Sequence, residues 1–370
     1  MIRVGDVARI IERAAPLVLA LPDDNPGLQA GRADAPVGRI LVALDPTPAA
    51  VRQAVSAKAD LLVTHHPLLM DPVRRIDTGT ATGAALAAAL AAGVSVYAAH
   101  TNLDAAPEGL AVAVARRLGL EDVRFLHPVN GPAWVKIVVF VPVEDAERLH
   151  AAMAAAGAGA LGRYDSCAFL ARGEGVFRPL AGARPAIGTP GKLERVPEMR
   201  LEMIAGEAEL PAVLAAVRRA HPYEEPAIDC FSQRPAPLGG FGCIGTIASA
   251  SLAVFARRAA RTLGAEARVS GARVPRVRTV AVCPGSGGRL VPLAAAAGAD
   301  AFVTGEVRYH NMREAEHHGI AIVELGHDRT EMPAVDLLAR LIREGLAAAG
   351  TAVPVAIYKE PRAARTAAGR

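Results

Sequence analysis

The sequence predicts an α/β protein whose discontinuous three-layer core consists of two pseudo-repeated halves, with an α+β domain inserted between them. Three observations support this fold: a motif order that occurs twice, apolar strands that alternate with helices, and a central segment with a different element order. Ala59-Asp60 and Ala299-Asp300 each open a short apolar strand that ends in Val-Thr. A second apolar strand, which begins after a glycine, follows each of them. At 370 residues the chain is long enough for two domains.

The alternation of strands and helices defines the two halves of the core. The strands are continuous apolar runs, which is typical of a sheet buried on both faces. In the first half we predict strands at residues 39–44, 61–64 and 94–98 and helices at residues 48–57 and 81–92. In the second half we predict strands at residues 279–283, 301–304 and 320–324 and helices at residues 288–297, 311–318 and 334–349. Strands that alternate with helices indicate an α/β layered domain.

The central segment has a different order of elements. We predict strands at residues 134–141, 200–204 and 227–231, with helices at residues 143–156 and 209–219. This β-α-β…β-α-β order is the ferredoxin-like pattern. Pro- and Gly-rich flanks, typical of linkers, lie at residues 127–132 and 233–237. We therefore predict a core domain at residues 1–130 and 236–370, interrupted by an inserted domain at residues 131–235.

Charge and composition exclude some classes of partner. The net charge of +4 is modest for this length. Nucleic-acid-binding proteins usually carry clustered basic residues, whereas the nearest cluster here, Arg257, Arg258 and Arg261, is typical of a solvated helix face. We do not expect nucleic acid as a partner.

Cysteine spacing and apolar segments bear on the compartment. The four cysteines form no Cys-x-x-Cys pair. Charged residues interrupt the apolar residues at the start of the chain, whereas a secretory signal has an uninterrupted apolar stretch there. Residues 78–103 carry no charged side chain, but they are rich in Ala and divide into a helix and a strand, so we expect no membrane span. The sequence indicates a cytoplasmic protein with free thiols.

His65 and His66 are the first candidate metal ligands. They follow directly after an apolar strand, and the carboxyl ends of strands in α/β sheets are where ligands bind. Neighbouring residues on extended backbone point in opposite directions, so the pair can bind two metal ions, one each, more easily than it can chelate one. The alternative is a structural or helix-capping histidine pair.

Two further histidines are each followed four residues later by a carboxylate. His100 precedes Asp104, and His327 precedes Glu331, in each case after the last strand of a half. Residues i and i+4 lie on the same face of a helix, and His, Asp and Glu are ligands of zinc, iron and manganese. A carboxylate can also bridge two ions. The alternative for Asp104 alone is a turn or capping residue.

Several other motifs leave more than one interpretation open. Glu306 and His310 follow the second-half strand where the first half has its histidine pair, and they fit outer hydrogen bonding, proton transfer or a structural role. The Gly-rich turn at residues 283–288 fits a phosphate site at a helix start or simply a tight turn. The run His-Pro-Tyr-Glu-Glu-Pro at residues 221–226 fits a ligand site, and fits a turn or subunit contact better.

Taken together, these motifs resemble the NIF-three-like dinuclear metal-binding family, whose members are commonly called GTP cyclohydrolase 1 type 2 homologues. The resemblance covers nearly the whole chain, and its central part resembles the family's inserted PII/CutA-like domain. It is carried by Asp24-Asn25 with Gly27-Leu28-Gln29, Leu44-Asp45, His65-His66-Pro67, residues 100–104, Gly285-Ser286-Gly287, Thr304-Gly305-Glu306 with His310, Gly326-His327 with Glu331, and in the insert by residues 162–164, 177–179, 188, 191–194 and 221–226.

The resemblance implies a ligand set and an assembly. The ligands would be His65, His66, Asp104, His327 and Glu331, with Glu331 as the bridge between two divalent ions per subunit, whether zinc, iron or manganese. The assembly would be a toroidal homohexamer, a dimer of trimers in which the inserts pack together.

Our leading hypothesis is therefore a metal-dependent hydrolase acting on a nucleotide or related small molecule. GTP, with hydrolytic ring opening and release of formate, is the candidate substrate, and His100 and His310 are the candidate proton shuttles. The alternative is a non-enzymatic metal-handling or regulatory protein whose inserted domain senses a small molecule or partner. A toroid that encloses nucleic acid is a third possibility, against which the modest charge argues.

Overall fold

The computed structural model describes residues 2–131, 133–233 and 237–359, which fold into two compact units. The first unit consists of Met1–Val129 and Leu238–Arg370, and the second of Asn130–Pro237. The strands, in chain order, are β1 (Gly27–Ala30), β2 (Ile40–Ala43), β3 (Leu61–Thr64), β4 (Ser95–Ala98), β5 (Glu121–Asn130), β6 (Trp134–Pro142), β7 (Ala168–Phe177), β8 (Glu194–Gly206), β9 (Ile228–Ser232), β10 (Pro237–Ser251), β11 (Arg268–Gly271), β12 (Arg276–Cys283), β13 (Ala301–Thr304), β14 (Ala321–Glu324) and β15 (Val355–Ile357).

Helices connect most of these strands. They are α1 (Val4–Ala14), α2 (Pro48–Ser56), α3 (Ala81–Ala91), α4 (Thr101–Asp104), α5 (Leu110–Arg117), α6 (Ala146–Ala155), α7 (Leu210–Ala220), α8 (Leu252–Leu263), α9 (Val291–Ala296), α10 (Tyr309–His318) and α11 (His327–Ala348). Short 3₁₀ turns lie at Leu17–Leu19, Val143–Asp145 and Gly288–Leu290. None of the helices in the described residues combines the length and apolarity that crossing a membrane requires.

The first unit contains two sheets with a repeated parallel centre. One sheet has the order β1-β4-β3-β2-β15 and the other β11-β14-β13-β12-β10-β5. The strands β2, β3 and β4 are mutually parallel, and so are β12, β13 and β14. The carboxyl ends of three successive strands therefore meet at one edge in each sheet. The predicted α/β fold of two similar halves is confirmed.

Helices cover both faces of each sheet. Leu41, Leu62 and Val96 pack on one face of the first sheet against residues of α2 and α3. Phe302 and Ile322 pack in the same way against residues of α9 and α10. The opposite faces of both sheets contribute to one shared core with residues from α1, α5, α8 and α11. This burial on both faces explains the continuous apolar strands.

The repeated Ala-Asp motif has a structural role. The Asp60 carboxylate accepts hydrogen bonds from the backbone N–H groups of Gly38 and Arg39, at 2.7 and 3.0 Å. The Asp300 carboxylate accepts the equivalent pair of bonds from Arg278 and Thr279, each at 2.8 Å. Each aspartate thus ties residues of the neighbouring strand or just before it to the start of the central strand, and fixes where that strand begins.

The second unit is a four-stranded antiparallel sheet with the order β7-β8-β6-β9. The first and third strands of this unit, β6 and β8, lie at the centre, which is the ferredoxin-like arrangement. Its core is formed by the inner face of the sheet with α6 and α7. The chain is thus α+β in this unit, as the order of elements predicts.

Several elements were not predicted, among them the strands β1, β5, β7, β10, β11 and β15 and the helices α1 and α5. The strand β7 was not predicted, because Gly173 and Gly175 lie within it and glycine is uncommon inside strands. A Cβ at residue 175 would lie 2.2 Å from Oε2 of Glu198, so the close approach of this buried carboxylate requires glycine there. The helix α11 begins at His327 instead of residue 334, because it continues through Pro333, which costs one backbone hydrogen bond.

Candidate metal centre

The predicted site residues follow the carboxyl ends of the central strands. His65 and His66 follow β3, and His100 follows β4 as the residue before α4. His327 is the first residue of α11, just after β14. Because the parallel strands end at one edge of each sheet, the residues that follow them lie close together.

The four imidazoles form a single cluster. The ring centroid of His65 lies 5.1 Å from that of His66 and 5.3 Å from that of His100. The ring of His66 lies 5.5 Å from His100 and 5.7 Å from His327. His66 is therefore the contact between histidines of the two halves.

Each imidazole is fixed through its Nδ1 atom by a separate oxygen acceptor. These contacts are His65 to the Ala99 carbonyl at 2.9 Å, His66 to Asp45 at 2.6 Å, His100 to Asp24 at 2.7 Å and His327 to Glu306 at 3.1 Å. Carbonyl and carboxylate oxygens only accept, so Nδ1–H donates in every case. In the neutral imidazole the Nε2 lone pair is then free, which is the usual arrangement of metal-binding histidines.

Burial and charge set the protonation of these rings. Burial lowers the pKa of His65, which is fully buried, to about 4, so its ring is neutral at pH 7. Burial alone would also lower the pKa of His66, but Asp45 and Glu331 outweigh it and raise that pKa to about 10. Glu331, with Glu306, raises the pKa of His327 to about 9. Protons on His66 and His327 thus offset part of the negative charge of the carboxylates in the metal-free protein.

Glu331 lies between the two halves. Its Oε2 atom is 2.9 Å from Nε2 of His66 and 3.0 Å from Nε2 of His327. Oε2 is buried, and the protonated rings of His66 and His327 are its partners. Burial would raise the pKa of Glu331, and the adjacent imidazoles of His327 and His66 outweigh this and hold the pKa well below its usual range. Glu331 is ionised at neutral pH.

Asp104 completes the cluster from the end of α4. Its Oδ1 atom lies 3.6 Å from Nε2 of His65, and neither atom has a hydrogen-bond partner although both are buried. Burial, together with the charge of Glu331, raises the pKa of Asp104 to about 7. Buried polar atoms without partners are costly, and the facing pair of His65 Nε2 and Asp104 Oδ1 fits a cation between them.

Two groups of potential ligand atoms can be distinguished. His65, His66 and His100 form one group, and His66, His327 and Glu331 form the other, with the ligand atoms of each group within 4.8 Å of one another. Imidazole nitrogen and carboxylate oxygen are the donors that zinc, iron and manganese take. The residues present therefore fit divalent metal ions.

Sequence reasoning predicted the residues at the centre better than those that orient them. Asp24 was part of a motif but had no assigned role. It fixes Nδ1 of His100, and it accepts a hydrogen bond from the backbone N–H of Thr101 at 3.0 Å. Burial would raise the pKa of Asp24, but the bonds from His100 and Thr101 hold it at about 2. No local signal pairs residues so far apart in sequence.

The Gly-rich turn is occupied by internal hydrogen bonds. The N–H groups of Gly285 and Gly287 donate to the hydroxyls of Thr330 and Thr304, each at 3.0 Å. Gly285 has φ +62°, and a Cβ there would lie 2.1 Å from Oε1 of Glu331. These contacts favour the tight-turn interpretation, in which the turn packs against Glu331, over a phosphate site.

The structure does not bring His310 into the cluster. Its side chain is exposed at the start of α10, and its described ring contact is with Tyr309. Glu306, in contrast, lies at the rim of the cluster, where Ser286 donates a hydrogen bond to it at 2.8 Å. The outer hydrogen-bonding role that the sequence allowed for Glu306 is the one observed, while the role of His310 stays a prediction.

The fold and the cluster define a class of protein: a two-half α/β protein with a candidate His and carboxylate metal centre. The chain belongs to the Duf34/NIF3 (NGG1p interacting factor 3) family, whose sequence profile matches residues 2–362. The resemblance seen in the motifs is thereby confirmed.

Similar proteins support this assignment. A Mycobacterium tuberculosis protein named GTP cyclohydrolase 1 type 2 homolog is 38% identical over 363 residues, which cover 96% of this chain and 94% of the relative. One of the same name from Halalkalibacterium halodurans is 37% identical over 330 residues, 87% of each chain. The crystal structure of a Bacillus cereus protein related to NIF3 has a TM-score of 0.71 and 32% identity, covering 98% of both chains. A Staphylococcus aureus structure, at 21% identity and a TM-score of 0.78, shares the fold.

Substitution Gly285→Ala should weaken metal binding, because the new methyl group displaces Glu331. We expect at least about a ten-fold loss of Zn²⁺ affinity, measured by competition with a chromophoric chelator. Gly264→Ala is the matched control, since Gly264 has φ +63° and no atom within 4 Å of a built Cβ. It should show the same backbone strain of about 1 kcal/mol with unchanged affinity. Equal affinities in the two variants would contradict the packing of the turn against Glu331.

Zinc binding should release protons. Below the raised pKa values of His66 and His327, about 10 and about 9, the metal-free protein holds protons that a cation must displace. The apparent affinity should therefore rise with pH from 6 towards 9. Titration calorimetry in buffers of different ionisation enthalpy should give about two protons released per chain at pH 7.5. Heats that do not depend on the buffer would contradict this.

Proposed function

We propose that the protein is a dinuclear divalent-metal protein that acts as a metal-dependent hydrolase on a nucleotide or a related small molecule. One observation carries this proposal. Four imidazoles, each anchored through Nδ1, cluster with Asp104 and Glu331, and the buried Nε2 of His65 faces the buried Oδ1 of Asp104 with no hydrogen bond on either atom. Without a cation such a cluster destabilises the folded protein, because burying polar atoms that lack partners costs free energy.

Six side chains supply enough donors for two ions. An imidazole Nε2 has one lone pair and binds one ion, so His66 serves only one of the two groups to which it belongs. We assign His65, His100 and Asp104 to one ion, and His66 and His327 to the other. Glu331 would bridge, because its carboxylate has two oxygens and Oε2 already lies within 3.0 Å of two ligand nitrogens.

This division changes the proposed role of His100. Its Nδ1 atom is bound to Asp24 and its ring lies against those of His65 and His66, so its Nε2 atom is available to bind the same ion as His65. We propose His100 as a sixth ligand in place of a proton shuttle, and retain His310 as a shuttle candidate.

The ions, when bound, would polarise a water molecule and lower its pKa so that it attacks at neutral pH. The chain would contribute orientation. Asp24, Asp45 and Glu306 orient three of the rings through hydrogen bonds, and the turn at residues 283–288 packs against the carboxylate of Glu331. Glu306 stands at the exposed rim, where its pKa is held below the usual range by the bonds from Ser286 and His327. It is therefore ionised and able to hold a proton-donating group of a substrate.

The reaction we propose is hydrolytic opening of the guanine ring of GTP with release of formate. Support comes from the names of the similar proteins from M. tuberculosis and H. halodurans, combined with a centre suited to activating water. We also propose a cytoplasmic homohexamer, a dimer of trimers, as the assembly, which light scattering after gel filtration would test.

The direct test is formate release from GTP by protein loaded anaerobically with zinc, iron or manganese. Wild-type protein should produce formate with at least one metal, and Glu331→Gln should lose about 100-fold or more of that activity, because a neutral side chain cannot bridge two cations. Glu344→Gln is the control, since Glu344 is exposed on the same helix. No formate from any loaded preparation would contradict the GTP reaction and favour the metal-handling alternative.

A further inference from the structure

The loop after the first histidine pair is much longer than its counterpart in the second half. Residues 65–80 connect β3 to α3, whereas residues 305–308 connect β13 to α10. Both loops start at the carboxyl edge of a central strand and therefore begin beside the metal centre. Loops of this length inside compact α/β units are uncommon and are usually functional.

This long loop is anchored at both ends. At the start, the Leu69 N–H donates to Oε1 of Gln29 at 3.1 Å, and Nδ2 of Asn25 donates to the Leu69 carbonyl at 2.5 Å. Asn25 is adjacent to Asp24, which fixes a histidine of the centre. At the end, the Asp77 carbonyl accepts a hydrogen bond from the Thr80 hydroxyl at 2.8 Å.

Between these anchors the chain is free. Among the described residues, 70–76 take part in none of the described hydrogen bonds or ion pairs, and every one of them is exposed. We call these seven residues the 70–76 loop. Few contacts between two fixed ends allow a segment to move as a unit.

The 70–76 loop carries side chains that are unusual on an exposed segment. Met70, Val73 and Ile76 are 44%, 48% and 58% exposed. Arg74 and Arg75 carry two positive charges against the one negative charge of Asp71. Apolar side chains and unpaired arginines together indicate a surface that is covered in another state of the molecule.

The charge of the metal centre indicates which kind of substrate would draw the 70–76 loop towards it. Five carboxylates surround the four imidazoles: Asp24, Asp45, Asp104, Glu306 and Glu331. With two divalent ions and neutral rings, the carboxylates still outnumber the positive charges by one. A substrate with phosphate groups therefore needs cations from outside the centre.

We propose that the 70–76 loop is a lid that closes over the metal centre on a phosphate-bearing substrate, with Arg74 and Arg75 binding the phosphate. The apolar side chains of the loop would then exclude water from the closed site. This inference rests on the proposed function, because it names the substrate class of the same site.

The first test is binding of GTP and of inorganic phosphate to zinc-loaded full-length protein by calorimetry. The double variant Arg74→Gln/Arg75→Gln should bind GTP about ten-fold or more weakly, and Arg74→Lys/Arg75→Lys should retain most of the affinity, since charge is kept. Arg218→Gln/Arg219→Gln is the matched control, because this adjacent pair is exposed in the inserted domain. Metal content is measured after each titration, so that loss of metal to the nucleotide is detected.

The second test is amide hydrogen exchange of the 70–76 loop in the wild type. Exchange should slow about ten-fold when GTP is added to the loaded protein, and should stay fast in the Gln variant. The lid would be overturned if GTP left the exchange rate of the wild-type loop unchanged and the Gln variant bound GTP with normal affinity. Slower exchange that follows protein concentration instead of GTP would show an interface between copies and would also overturn it. Because both tests measure binding, their failure is distinct from a failure of the loaded enzyme to release formate.

Discussion

The structure depends on one constraint, the hydrogen bond that each histidine of the cluster donates through Nδ1. A ring that is held by an acceptor on one side presents its other nitrogen in a fixed direction, and here four such rings form one cluster. The acceptors come from separate parts of the chain: the Ala99 carbonyl after β4, Asp24 before β1, Asp45 after β2 and Glu306 after β13. Any cation bound here would meet donors whose orientation is already set.

The two halves share the same order of strands, but the segments that follow those strands differ. Asp60 and Asp300 fix equivalent strands with equivalent pairs of hydrogen bonds, so the strand ends lie in matching positions. Beyond those ends the halves differ. The first half supplies two adjacent histidines and a long loop, whereas the second supplies a tight glycine turn that packs against Glu331. One half thus carries the long loop, and the other a turn that supports Glu331.

The sequence was sufficient to predict the elements that have a simple hydrophobic pattern. The strands β3 and β13 match their predicted bounds, because a buried parallel strand reads as an uninterrupted apolar run. The five predicted ligand residues also lie together, because each follows such a strand. Local patterns could not show that Asp24 orients His100, which is 76 residues away. They also did not reveal β7, in which Gly175 packs against Glu198, or the continuation of α11 through Pro333.

The central claim is that two ions occupy this cluster, and metal content per chain tests it most directly. Protein purified with and without oxygen would be analysed by mass spectrometry of the metals, for the wild type and for Glu331→Ala. The account predicts about two ions per wild-type chain and a sharp fall in the variant, with folding unchanged by circular dichroism. Wild-type protein that binds no metal under either condition, or equal metal content in both proteins, would contradict it.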